Sequence, residues 1–149
     1  MPPIERTIRL CMTNLMHDHA WWFSDHVLQT PGVDLVGVAA ERDYLLERMR
    51  KKAPNAHKPD GLIILTQNNR HRALVQEAAR RGIHCVMDQP MATSYADALA
   101  MQAAADRAGI KLMVNCYELW RPEVAELCRR AKAGDIGDIY EITATRGMK

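Results

Sequence analysis

Five short apolar runs recur along the chain: Ile8–Met12, Val33–Ala40, Gly61–Thr66, Ile83–Met87 and Ile110–Val114. None alternates cleanly between apolar and polar positions. Near-continuous apolar character over so few residues is what a strand covered on both faces requires. Between the runs, apolar positions fall at helical spacing. Trp21–Leu28 follows the first run and Asp43–Lys52 the second. Arg72–Arg80 stops at Gly82, and a long helix capped by Thr93 or Ser94 runs through Ala105 to a stop at Gly109. Arg121–Pro122 opens another helix, with proline in its first turn, that reaches about Ala133 before Gly134. Ile139–Ala144 is expected to be a sixth extended segment.

Strand–helix–strand units repeated with short, Gly-terminated connections predict right-handed crossovers and a parallel sheet. The expected fold is α/β: a doubly wound parallel sheet in three layers. Such sheets bind ligands outside the carboxyl ends of their strands. The loops after Met12, Ala40, Thr66, Met87 and Val114 are therefore where chemistry is expected.

Composition changes this picture little. A chain of 149 residues, 48% hydrophobic and 26% charged, suits one soluble domain with a substantial core. Its 20 basic and 18 acidic residues leave +2, which argues against nucleic acid and membrane surfaces as partners. The cluster Arg48, Arg50, Lys51 and Lys52 reads as a solvated helix face. No apolar stretch approaches the ~20 residues of a membrane span. Met1–Arg6 has no apolar signal core, so a cytoplasmic location is expected. Cys11, Cys85, Cys116 and Cys128 form no C-x-x-C pair, and three lie in or beside predicted strands. They are expected to be reduced and structural.

The first candidate loop is Met12–Thr13–Asn14–Leu15–Met16–His17–Asp18–His19. A phosphate loop at this place uses glycines so that the backbone turns tightly and approaches a pyrophosphate at a helix N-terminus. No glycine is present. Asn14 stands at the first glycine position and is the non-glycine residue that best tolerates positive φ. Met16 stands at the second, where any side chain obstructs the phosphates. His17 and His19 can donate hydrogen bonds to a phosphate, but Asp18 between them competes with it. A plain helical first turn and a two-histidine metal site are the alternatives. The latter has no evident third ligand, and no metal site is expected. After the second run, Glu41 is the candidate acid for ribose hydroxyls and Arg42 for a 2′-phosphate. Glu41 reads equally well as a first-turn helix acid.

Five stretches from Asp60 onward, taken in order, carry a family resemblance. They are Asp60–Asn68 with His71; Ala78–Ala92 (AARRGIHCVMDQPMA); Ala108–Val114; Trp120–Arg121–Pro122; and Gly134–Ile139. They resemble the T-P-N-x-x-H, A-x-x-x-G-k-h-V-x-x-E-K-P, A-G-v-k-l-m-V, F-x-P and s-G-x-i-G-x-i segments of the glucose–fructose oxidoreductase / inositol dehydrogenase / MocA family. The resemblance implies a Rossmann-type domain for NAD or NADP, followed by a larger α/β domain holding much of the substrate site. Residues 1–136 would then be the nucleotide-binding domain and 137–149 the beginning of a second domain that the chain lacks. The short Pro-containing connection from Lys52 to Asp60 replaces an extra strand and helix, so one edge strand is expected to be absent.

The same resemblance assigns site residues. Thr66, Gln67 and Asn68 would lie against the nicotinamide half of the cofactor, with Asn68 equally suited to capping the next helix. His71, Asp88 and Pro90 match the family pattern, and the bond before that proline is commonly cis in the family. Gln89 stands where the family has a lysine beside the reacting hydroxyl, and an amide carries no transferable proton. Tyr117 and Glu118 are the remaining candidates for proton transfer, or they are ordinary loop polarity. The function implied is hydride transfer on a sugar-like or cyclic alcohol, with weak cofactor binding and no activity from this chain alone. The alternative is a non-catalytic module for a nucleotide or a partner. Self-association through an unpaired strand at Ile139–Ala144 is also expected.

Overall fold

The computed structural model describes residues 6–14, 18–39, 59–143 and 145, and residues 18 and 117 by their backbone only. Two compact units divide the chain, Met1–Asn115 and Cys116–Lys149.

The first unit holds all five described strands: β1 (Ile8–Thr13), β2 (Val33–Ala39), β3 (Gly61–Ile64), β4 (His84–Asp88) and β5 (Leu112–Asn115). They form one parallel sheet in the order β2-β1-β3-β4-β5. The order reverses between β1 and β3, which opens a crevice at their carboxyl ends. The helices of this unit are α1 (Asp18–Gln29), α2 (Asn68–Arg80) and α3 (Tyr95–Ala108).

The apolar runs are explained by two cores, one on each sheet face. In β3, Leu62 and Ile64 pack with Val75, Ala78 and Ala79 of α2 and Met101, Ala104 and Ala105 of α3. Ile63 between them packs on the opposite side with Met12, Ala20, Val27, Leu35 and Leu65. Successive residues thus meet different layers, and both layers are apolar. The paired alanines of α2 and α3 let those helices approach closely. In β2, a Cβ at Gly37 would come within 2.8 Å of Cys11 Sγ, so a larger residue there would have to displace that thiol. Burial pushes the Cys85 thiol up to about 11, as suits a cysteine serving as a small core hydrophobe.

The helix signals are met in detail. Ser94 caps α3, its Oγ accepting from the Asp97 amide at 3.1 Å, and Gly109 ends that helix at φ 65. In the second unit, α4 (Pro122–Ala133) begins on the expected proline and stops at Gly134, φ 79. A 3-10 turn, Tyr117–Trp120, precedes it.

Two expectations are corrected. Ile139–Thr143 belongs to no strand. A strand exists only where a neighbour supplies its ladder, and the second unit holds no described strand to do so. Asn68 does not cap α2; it is the first helical residue, and Gln67 occupies the cap position without a side-chain cap bond. The expected helix Asp43–Lys52 lies outside the described residues.

Opposite the crevice, Asp60 fastens the amino ends of β1 and β3. Its carboxylate accepts from the Arg9 amide at 2.9 Å, from the Arg9 guanidinium at 3.2 Å and from Arg6 at 3.1 Å. These donors, Arg9 foremost, hold the Asp60 carboxyl well below the usual carboxylate range.

Candidate functional site

At the carboxyl end of β1 the backbone turns at Asn14, which adopts φ 63. Its N–H donates to Ala39 O at 2.6 Å, at the end of β2. Its Nδ2 donates to Leu65 O at 3.2 Å, just beyond β3. Thr13 adds a hydroxyl bond to Ile63 O at 3.4 Å, and Leu65 N returns one to Thr13 O at 3.3 Å. One non-glycine residue in the left-handed region therefore joins three strand ends. Asn manages this because its short amide satisfies neighbouring backbone.

Above this junction lies a cavity of about 460 Å³ lined by Thr13, Asn14, Ala39, Thr66, Asn69, Arg70, Ala73 and Leu74. Ala39, Ala73 and Leu74 give it an aliphatic wall, and Thr13, Asn14, Thr66, Asn69 and Arg70 complete the lining. The Thr66 hydroxyl is buried and has no hydrogen-bond partner among the described residues. An orphaned hydroxyl at the edge of an apolar cleft suits a flat ligand with polar substituents. The adenosine portion of a dinucleotide is such a ligand, and the residues present fit it. Of these lining residues the sequence reasoning had singled out Asn14 and Thr66, and not Thr13, Ala39, Asn69, Arg70, Ala73 or Leu74. For the last four the signal was the spacing 69, 70, 73, 74, one face of the first turns of α2.

A second cluster lies at the end of β4. Asp88 Oδ2 is 2.7 Å from His19 Nδ1, and Asp88 Oδ1 accepts from the Gln89 amide at 3.0 Å. The Gln89–Pro90 bond is cis, as the resemblance implies. Gln89 and Pro90 are exposed at the rim. His19 is thus turned onto a carboxylate of β4. No sequence rule pairs residues 69 apart, so this contact was not foreseen.

His71 is fully buried, with Nδ1 3.0 Å from Met91 O and Nε2 3.0 Å from Thr66 O. It stands behind the rim loops, not in the cavity. The three catalytic candidates fall in different units. Gln89 is in the first, whereas Tyr117 and Glu118 start the 3-10 turn of the second, where Glu118 lies 3.5 Å from Arg121. Met16, His17, Glu41 and Arg42 lie outside the described residues. Among the described residues no group of three His, Cys, Asp or Glu is placed to hold a metal ion. No described helix is long and apolar enough to cross a membrane.

Comparison with known proteins gives a consistent pattern. The model of an oxidoreductase family with an NAD-binding Rossmann fold, GFO_IDH_MocA, matches residues 23–116. D-apiose dehydrogenase of Paraburkholderia graminis is 33% identical over 133 residues, which are 81% of this chain and 34% of that protein. The rhizopine catabolism protein MocA of Rhizobium meliloti is 26% identical over 131 residues, 79% of this chain and 41% of that one. The matched part of the chain therefore spans 34% and 41% of these two relatives' length. Among solved structures, the WlbA dehydrogenase of Bordetella pertussis, in complex with NADH and UDP-GlcNAcA, superposes with a TM-score of 0.82 at 21% identity, covering 93% of this chain and 43% of that chain. The myo-inositol 2-dehydrogenase of Lactobacillus plantarum gives 0.79 at 14% identity, covering 90% and 43%.

Proposed function

The chain belongs to the Gfo/Idh/MocA oxidoreductase family with its NAD-binding Rossmann fold, and on that premise we propose that it supplies the cofactor-binding part of a dehydrogenase acting on a sugar-like or cyclic alcohol. The observation that carries this reading is the apolar cavity at the sheet's reversal point, with the unpartnered Thr66 hydroxyl at its edge. The dehydrogenase relatives support the substrate class.

In this reading Ala39, Ala73 and Leu74 flank the adenine, and Thr66 and Asn69 take its polar edge or the ribose. Arg70, together with Glu41 or Arg42, decides between NAD and NADP. Asn14, Met16 and His17 meet the pyrophosphate. Met16 makes that contact weak, because the sequence carries a side chain at a position where a phosphate loop uses glycine. Gln67, Asn68, Asp88 and Pro90 border the nicotinamide half. When bound, that ring supplies the hydride acceptor or donor. Gln89 orients the substrate hydroxyl by hydrogen bonding, and Asp88 fixes His19 and the Gln89 backbone. Tyr117 and Glu118 remain the candidate proton carriers. Residues 1–136 are assigned to this part and 137–149 to the start of a following α/β region, with self-association through residues 139–144 as a further proposal. The location is taken as cytoplasmic.

We assign cofactor binding to these residues and no turnover by them alone, because Gln89 carries no transferable proton and the family holds much of its substrate site in a following domain, which leaves Tyr117 and Glu118 without a positioned substrate. A second reading, a binding module without catalysis, is favoured by that same glutamine. The test is a panel of aldoses, inositols and cyclic diols with NAD and NADP, followed by absorbance of the reduced cofactor, for the chain and for Gln89→Lys. Cofactor binding without turnover in both supports the assignment, and turnover by the unaltered chain overturns it. Absence of binding to either cofactor removes the main reading and leaves the partner-binding one.

A further inference from the structure

His71 sits in the first turn of α2, wholly buried, and both of its ring nitrogens face backbone carbonyl oxygens at 3.0 Å. A carbonyl oxygen only accepts, so each contact is a hydrogen bond only when that nitrogen carries a proton. A neutral imidazole has one N–H. One of the two contacts then sets a nitrogen lone pair against an oxygen. The imidazolium has two N–H groups, and both contacts become bonds. The carbonyls belong to different rim loops: Thr66 follows β3 and lines the cavity, and Met91 follows the Gln89–Pro90 bond after β4.

We propose that His71 is a positioning residue for the cofactor site, a buried imidazolium that ties the β3–α2 loop to the β4–α3 loop and releases one of them when it loses a proton. The cofactor part of this inference rests on the reading of the cavity given above; the tie between the loops does not.

Among the described residues the surroundings leave this role to His71. Neither loop, Leu65–Gln67 or Gln89–Ser94, contains an ionisable side chain. On α2, Arg70 lines the cavity, Arg72 pairs with Asp97 of α3 at 2.9 Å, and Glu77 is paired with Arg80 and Arg81. At the end of β4, Asp88 is paired with His19. A charge at this depth is costly unless it is compensated. The two carbonyl dipoles are the compensation the fold provides. The sign follows from proton counting: both bonds exist while the ring holds two protons, and one is lost as pH rises.

Long-range proton–nitrogen NMR spectra of the 15N-labelled 149-residue chain, recorded between about pH 5.5 and 8.5, report the protonation of each ring nitrogen. The expected result is two protonated nitrogens at the acid end and one at the alkaline end. The backbone amides of Gln67 and Ala92, whose peptide units contain the two carbonyls, should shift with the same midpoint. In parallel, NADH affinity read by tryptophan fluorescence should fall roughly three- to tenfold over the same interval, the weight of one hydrogen bond. In His71→Gln, checked for folding by its thermal melt, that component should vanish. A ring that keeps one state across the interval, charged or neutral, overturns the proposal, as does an unchanged pH dependence of affinity in folded His71→Gln. If that variant fails to fold, the wild-type ring and amide titrations decide alone. If NADH binds at no pH, the cofactor reading fails, while the same titrations still confirm or refute the tie.

Discussion

Replacing Asn14 by alanine and, separately, by glycine divides two contributions that this residue makes at once. Its backbone is held at φ 63, and its Nδ2 bonds Leu65 O at 3.2 Å. Alanine keeps a Cβ in the left-handed region, at a cost of roughly 1–2 kcal/mol. It also deletes the amide bond, worth about 0.5–1.5 kcal/mol. The alanine variant should therefore lose about 1.5–3.5 kcal/mol. Glycine deletes the same bond but occupies this backbone region without strain, so it should lose only about 0.5–1.5 kcal/mol. The difference between the variants, about 1 kcal/mol or more in favour of glycine, is cleaner than either absolute value. Urea denaturation followed by tryptophan fluorescence and far-ultraviolet circular dichroism, analysed with a shared slope, measures it. Equal stability of the two variants, or a more stable alanine variant, would refute the argument that positive φ selects asparagine here.

Three further outcomes are expected. Thr66→Val removes a buried hydroxyl that lacks a partner among the described residues; the free chain should be unchanged or up to about 1 kcal/mol more stable, yet bind NADH several-fold more weakly. A loss of stability without a loss of affinity in titration would show the hydroxyl to be structural. Asp60 is held low in the folded state by Arg9 and Arg6, so its contribution is complete above pH ~4 and is lost as pH falls further. Asp60→Asn should flatten that acid limb in melts recorded along a pH series, and a limb of unaltered steepness would contradict the assignment. Ser94→Ala removes the cap of α3 and should cost about 1 kcal/mol by urea midpoint, with no effect on cofactor binding.

Much of the fold was legible because its signals are local. Pro122 and Gly134 bracket α4, Ser94 and Gly109 bracket α3, and the apolar runs mark strands covered on both faces. Asn14 could be read as a glycine substitute because positive φ is a property of a single residue. The failures concern partners. Ile139–Thr143 has strand-like residues but no neighbouring ladder. Asn68 has a capping side chain but falls one position inside the helix. The His19–Asp88 pair and the contribution of α2 to the cavity wall depend on which strand ends become neighbours. Sheet order decides that, and no short window of sequence contains it. The Thr66 hydroxyl was marked by family pattern, yet its lack of a partner is visible only in three dimensions.

The central claim is that a dinucleotide binds at the reversal point between β1 and β3. Titrating NADH into the 15N-labelled chain and mapping amide shifts tests it most directly. The account predicts saturable changes at Thr13, Asn14, Ala39, Thr66, Asn69, Arg70 and Ala73, with little change around Arg9, Asp60 and His84 at the other end of the sheet. Saturable changes confined to that other end, or none at any attainable NADH concentration, would contradict it.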